Sequence, residues 1–227
     1  MSTVMPEKVK CFMCGTESEF RVLASTNTFG PTDLDTRPPE MKRSTMCYWL
    51  QSCPVCGYVA AEVSDECSID KAFLDSKAYK ECKGIPFTSD LAKKFYRHYL
   101  IMMAEEEKEV AFSALLHASW ACDDAGDDEN ASIVRKKAIE LADGLLQQKD
   151  YDGKDTLSLI RADMMRRAAL FDELLEKYES AKYKEDLLNK IINFEKELAR
   201  RKYAKCLTVK DAIDFADGSF NWATLVE

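Results

Sequence analysis

The chain has 227 residues, of which 46% are apolar, so it can bury an ordinary core and is not expected to be disordered. Its formal net charge of −8 disfavours nucleic acid over most of the surface. The sequence holds no run of about 18 apolar residues, and its N-terminal MSTVMPEKVK lacks the apolar core of a signal peptide. We therefore expect a cytoplasmic protein with no membrane span.

A Cys-x-x-Cys-Gly motif occurs twice, as CFMCG at residues 11–15 and as CPVCG at residues 53–57. The two-residue spacer lets both sulfurs of a pair reach one ion, and the glycine accepts the positive φ of the turn. Nine cysteines in a charge-rich chain of this size favour thiols and a metal site over a disulfide framework. The motifs predict one tetrahedral site with four ligands: Cys11, Cys14, Cys53 and Cys56.

The predicted ion is a structural zinc, because four thiolates form a closed shell whereas a catalytic zinc keeps one position open for water. Iron in a rubredoxin-like site is the closest alternative, since tetrahedral thiolates suit both ions. The two histidines, His98 and His117, lie in the helical region and are not expected to be ligands. The remaining cysteines lack a partner at the same spacing, and three of them are expected to be small core residues: Cys82, Cys122 and Cys206.

Two short strands, in SEFRVLAST and CYWLQS, are predicted between the motifs and would complete a zinc ribbon. Between these strands, NTFGPTDLDTRPPEMKRS contains glycine and prolines that predict an exposed, locally stiff loop. The favoured interpretation is a solvated connector in which Arg37 pairs with a neighbouring aspartate. A loop that contacts a ligand or a partner through Asp33, Asp35 and Arg37 is the alternative.

Helical periodicity begins after residue 87, where Thr88 or Ser89 is the predicted N-cap of the first long helix. Gly126 is predicted to end the next helix, and TVKD at residues 208–211 matches a capping box. Six or seven helices are expected in all. The segment FDELLEKYESA resembles the second helix of a tetratricopeptide repeat, with Phe171 at the turn.

The sequence thus predicts a mainly α protein with a small β zinc ribbon. Residues 1–66 would form a zinc-ribbon-like metal-binding module, and residues 67–227 a tetratricopeptide-like array of antiparallel helices. The motifs CFMCG, DLDTRPPE and SCPVCGYVAAE, with the helical remainder, resemble a family of uncharacterised microbial proteins catalogued as a domain of unknown function. That resemblance implies a four-cysteine metal site joined to tetratricopeptide-like helices and no established activity.

The expected function is that of a structural-zinc protein that binds a protein or peptide partner through a helical groove. An enzyme that uses Asp33, Asp35 and Arg37 near the metal is an alternative from a different class. A nucleic-acid-binding zinc ribbon is the third possibility, disfavoured because residues 1–63 carry only six basic residues. The partner and the oligomeric state are left open.

Overall fold

The computed structural model describes residues 1–225, which are mainly helical with small antiparallel β hairpins. The chain packs into two compact units. The first contains Met1–Phe29 and Glu40–Lys137, and the second contains Gly30–Pro39 and Ala138–Glu227. Within the described residues, no helix has the length and hydropathy needed to cross a membrane.

The strands lie in the first unit and form two hairpins. Strand β1 (Thr3–Lys10) pairs antiparallel with β2 (Glu17–Ser25), from Lys10 opposite Glu17 at the turn to Thr3 opposite Ser25. Strand β2 was predicted, whereas the sequence did not indicate β1. The second hairpin pairs β3 (Gln51–Ser52) with β4 (Val59–Ala60), so only the last two residues of CYWLQS are extended. Cys47 and Tyr48 of that segment end a 3₁₀ helix at Arg43–Tyr48, and Trp49 and Leu50 form a bend.

The helices of the first unit follow the predicted stop and start signals. The Ser89 Oγ accepts a hydrogen bond from the Ala92 N–H, as an N-cap does, and Gly126 adopts a φ of +66° two residues after a helix ends. The two longest helices that lie wholly within the unit pack on each other through buried residues such as Phe95 and Leu115. The helices are α1 (Lys71–Asp75), α2 (Lys77–Lys80), α3 (Asp90–Ala104), α4 (Lys108–Asp124) and the first part of α5 (Asp128–Leu146).

The second unit contains the remaining helices, in which α6 packs on α7 and α8, and α8 packs on α9. Leu174 and Tyr178 of the tetratricopeptide-like segment are buried. Thr208 forms the predicted capping box with Asp211. The described chain has nine α helices, more than the expected six or seven, and seven of them, α3 to α9, have eight or more residues. The second-unit helices are α6 (Lys154–Arg167), α7 (Phe171–Tyr178), α8 (Asp186–Arg200) and α9 (Val209–Ala216), followed by a 3₁₀ turn at Trp222–Leu225.

The core of the second unit contains a fully buried charged group between α6 and α8. Arg166 donates from its Nε to the Glu195 carboxylate at 2.6 Å and from a terminal nitrogen to Asp163 at 2.5 Å. The same guanidinium donates to the carbonyls of Tyr203 and Lys205. The four acceptors satisfy a charge that burial would otherwise make very costly.

The predicted exposure of the DLDTRPPE loop is wrong for three of its four charged residues, because Asp33, Asp35 and Arg37 are at most 4% exposed. The Asp35 carboxylate accepts a hydrogen bond from Arg167 at 3.0 Å, within the second unit. Backbone hydrogen bonds also join the loop to the residues around the start of α9. The Leu34 N–H donates to the Leu207 carbonyl, and the Val209 N–H donates to the Thr32 carbonyl. The glycine and prolines predicted the irregular backbone correctly, but residues of these types do not indicate whether a loop is buried by other segments.

Candidate metal centre

The first Cys-x-x-Cys motif forms the turn of the β1–β2 hairpin. Cys11 follows the last residue of β1, and its N–H donates to the Thr16 carbonyl at 2.9 Å. The Gly15 N–H donates back to the Cys11 carbonyl at 2.8 Å. Gly15 has a φ of +74°, where a side chain would be strained, so the glycine permits the turn that directs both sulfurs inward.

The second motif repeats this geometry in the turn between β3 and β4. The Cys53 N–H donates to the Tyr58 carbonyl at 2.8 Å, and the Gly57 N–H donates to the Cys53 carbonyl at 3.0 Å. Gly57 has a φ of +73°. Two segments separated by 38 residues between Cys14 and Cys53 therefore adopt the same local fold, which was predicted from their shared pattern.

The four predicted ligand sulfurs converge on one point. Their Sγ atoms all lie within 4.8 Å of one another, and other cysteines of the described chain are not part of this group. The Cys11 and Cys56 sulfurs are 3.7 Å apart, and the Cys14 and Cys53 sulfurs are 3.6 Å apart. A zinc–sulfur bond of about 2.3 Å places two ligands of a regular tetrahedron about 3.8 Å apart. Because a disulfide requires about 2.05 Å, this arrangement fits a tetrahedral metal ion.

The thiols differ in acidity before a cation binds. Thr16, through its hydroxyl and its backbone N–H, lowers the pKa of Cys14 to about 6. Burial raises the pKa of Cys11 and of Cys56. Cys14 is therefore an anionic first contact for a cation at neutral pH, whereas Cys11 and Cys56 must release protons when they bind. The affinity for a metal ion is expected to rise with pH.

Three side chains of the first unit support the second motif, and no sequence pattern indicates this role. The Tyr79 hydroxyl of α2 donates to the Gly57 carbonyl at 2.6 Å. The Tyr58 hydroxyl donates to the Asp65 carbonyl at 2.9 Å. His98 of α3 places Nδ1 3.4 Å from the Val59 carbonyl, and burial lowers the pKa of this imidazole. Such partners orient the ligand loop, as groups outside a metal's coordination shell commonly do.

The other candidate residues lie away from this group. His117 packs against the rings of Trp49, Phe95 and Trp120. Cys82 and Cys122 are buried, as expected of small core residues, but Cys206 is exposed, so that prediction is wrong for Cys206. Asp33, Asp35 and Arg37 belong to the second unit, and the metal-ligand group of the first unit does not include them.

The fold and the site define a mainly helical protein with a four-cysteine cluster that can bind a metal ion. No protein-family model matches the chain, and neither a curated protein nor a solved structure shows significant similarity to it.

Proposed function

We propose that the four cysteines hold one structural zinc ion and that the protein acts as a protein- or peptide-binding scaffold. The observation that carries the first part is the closed shell of four sulfurs, with distances of 3.6 and 3.7 Å across two of its edges. Four thiolates satisfy a tetrahedral ion, which leaves no position for the water that a catalytic zinc requires.

A stabilising role for the ion follows from the size of the hairpins. Strands β3 and β4 have two residues each, and a hairpin this short is not stable by itself in water. An ion shared with Cys11 and Cys14 would tie the second motif to the longer β1–β2 hairpin. Structural zinc sites of this kind contribute on the order of 10–16 kcal/mol to folding.

Native mass spectrometry of the full-length protein tests the metal assignment. We expect one zinc ion per chain, and we expect Cys11→Ser and Cys53→Ser to lose it together with much of the thermal stability. Cys206→Ser is the matched control, because it removes an exposed thiol of the second unit. Iron in place of zinc would contradict the choice of ion, and protein isolated without metal from its own cytosol would contradict the site.

The scaffold part of the proposal is supported by a polar cleft of about 250 Å³ beside the tetratricopeptide-like segment, here termed the α7 cleft. Its walls offer hydroxyl groups and both signs of charge, which are the groups that recognise a peptide backbone and its side chains. The Tyr183 and Ser158 hydroxyls lie 2.9 Å apart, and the Tyr178 hydroxyl donates to the Ser158 carbonyl at 2.7 Å. The lining includes Asp155, Ser158, Lys177, Tyr178, Lys182 and Tyr183.

A peptide-library screen with the zinc-loaded protein tests this part. Peptides that bind are expected to lose about tenfold in affinity with Lys182→Ala, because this exposed lysine lines the α7 cleft. Lys184→Ala is the control, since Lys184 is an exposed lysine two residues further on and is not among the residues that line the cleft. Peptide binding that is equally weakened by both variants, or turnover of a small molecule without peptide binding, would contradict the scaffold function.

A further inference from the structure

A second cleft lies in the first unit, between the start of α3 and the hairpin that carries Cys53 and Cys56. Its volume is about 400 Å³, within the size range of small-molecule sites. Ser52 and Val59, on the two strands of the hairpin, line one side, and α3 lines the other. We call it the lysine cleft, after the α3 residues Lys93 and Lys94 in its wall.

The charge of the lysine cleft is opposite to that of the chain. Lys93, Lys94 and Arg97 line it together with one carboxylate, Asp90, so its formal charge is +2 in a protein of −8. In residues 1–225 no carboxylate lies within ion-pair distance of these three cations. By contrast, Lys80 and Arg135 of the same unit are paired with carboxylates, Lys80 with Asp75 at 2.9 Å and Arg135 with Asp123. A group of cations that share no carboxylate is an electrostatic site for an anion.

Two of the cations are held in place and still have hydrogen-bond donors to offer. The Lys94 ammonium donates to the carbonyls of Cys47 and Leu50, both at 2.9 Å, and an ammonium group has three donors. Arg97 donates from Nη2 to the Lys80 carbonyl at 2.9 Å. Its Nε is buried and out of reach of a ligand, so Nη1 is the nitrogen that Arg97 can offer. Because these side chains are ordered before a ligand arrives, binding costs less conformational entropy.

Lys93 differs from the other two cations because no side-chain hydrogen bond or ion pair in the described chain holds its ammonium group. It is half-buried in the wall of the cleft, so its ammonium group is available to a ligand. Val59 and Leu91 add apolar surface beside the charges. The cleft therefore combines a compact group of positive charges with an apolar wall that can contact the uncharged part of an organic ligand.

We propose that the lysine cleft binds the phosphate group of a small phosphorylated molecule. The Arg97 guanidinium and two lysine ammonium groups suit the several oxygens and the double negative charge of a phosphate ester. The cleft has room for one small molecule. A long nucleic acid would in addition meet the net negative charge of the remaining surface. This inference stands apart from the proposed scaffold function, because it concerns a different unit and a different cleft.

Titration of the ¹⁵N-labelled, zinc-loaded protein with glycerol phosphate, followed by amide chemical shifts, tests the proposal. We expect saturable shifts confined to residues 47–59 and 90–97, with a dissociation constant below about 1 mM in about 0.15 M salt. Lys93→Gln should raise the constant at least about tenfold without a change in fold, because in the described chain the Lys93 ammonium group makes no hydrogen bond or ion pair. Lys108→Gln is the control, since Lys108 is an exposed lysine of the same unit outside the cleft.

Arg97→Lys is a second variant that keeps the charge but removes the guanidinium group, and it should also weaken binding. Three results would overturn the proposal: shifts that do not saturate by about 10 mM ligand, a dissociation constant of Lys93→Gln equal to that of the wild type, or equal weakening by Lys108→Gln. A parallel titration with a single-stranded oligonucleotide separates the sources of phosphate. Binding of the oligonucleotide without binding of glycerol phosphate would also overturn the proposal.

Discussion

The buried carboxyl group of Glu195 gives the second unit a pH dependence that can be measured. Glu195 has no exposed surface, and its Oε2 accepts a hydrogen bond from Arg166. Arg166 also donates to Asp163, so two carboxyl groups share one guanidinium. Burial raises the pKa of Glu195 to about 8; the charge of Arg166 opposes this shift, and that of Asp163 adds to it. Within the described residues its Oε1 has no hydrogen-bond partner, so nothing offsets the loss of water at this oxygen.

Because the pKa of Glu195 is higher in the folded state than the value of about 4.3 in an unfolded chain, the folded protein binds this proton more tightly. The resulting stability is fully present below about pH 4 and is lost as the pH rises through about 8. Between these limits the free energy of unfolding should fall by up to about 1.4 kcal/mol per pH unit, or by about 4 kcal/mol from pH 5 to pH 8.

Glu195→Gln should remove this slope, because the amide cannot titrate in this range but keeps an oxygen for Arg166. Urea unfolding of the zinc-loaded wild type and variant, followed by circular dichroism at several pH values, measures the difference between the two curves. Glu197→Gln is the control, since Glu197 is a partly exposed carboxylate on the same helix, paired with Arg201. Stability curves of the wild type and Glu195→Gln that run parallel from pH 5 to pH 8 would refute the reasoning.

Three further predictions follow from single contacts. Thr16→Val removes a hydroxyl that lowers the pKa of Cys14, so protons should compete better and zinc should leave at a pH higher by about 0.3, read with a chromophoric chelator. Tyr79→Phe removes the donor to the Gly57 carbonyl and should cost about 1–2 kcal/mol in urea unfolding; an unchanged midpoint would argue against this support. Asp35→Asn removes a counter-charge of the buried Arg167 guanidinium and should cost about 3–5 kcal/mol, whereas a loss below about 1 kcal/mol would show that the pair is solvated.

The metal-site residues could be predicted because the information is local. A Cys-x-x-Cys-Gly motif specifies its own turn, and Gly15 and Gly57 adopt nearly equal positive φ values, as the pattern predicts. The capping box at Thr208 and the helix stop at Gly126 are local in the same sense. Convergence of the two motifs on one point followed from the chemistry of a four-thiolate site.

Strand β1 could not be predicted, because it has no buried face that its sequence could reveal. Most of its residues are exposed on both sides, and it contains a proline at Pro6. It forms because β2 supplies the hydrogen-bond partners across the hairpin. The sequence of β2 does carry a half-buried alternation at Phe20 and Val22, and this strand was found.

By itself, the sequence determined the four-cysteine group, the boundaries of several helices and the mainly helical class. Only the tertiary structure decided that Asp35 and Glu195 are buried, and that Lys93 lines a cleft of net positive charge. A charged residue is predicted to be at the surface because removal of its water is costly. Whether a distant residue, such as Arg167 for Asp35, offsets that cost depends on contacts between segments far apart in the chain, and a local pattern does not contain them.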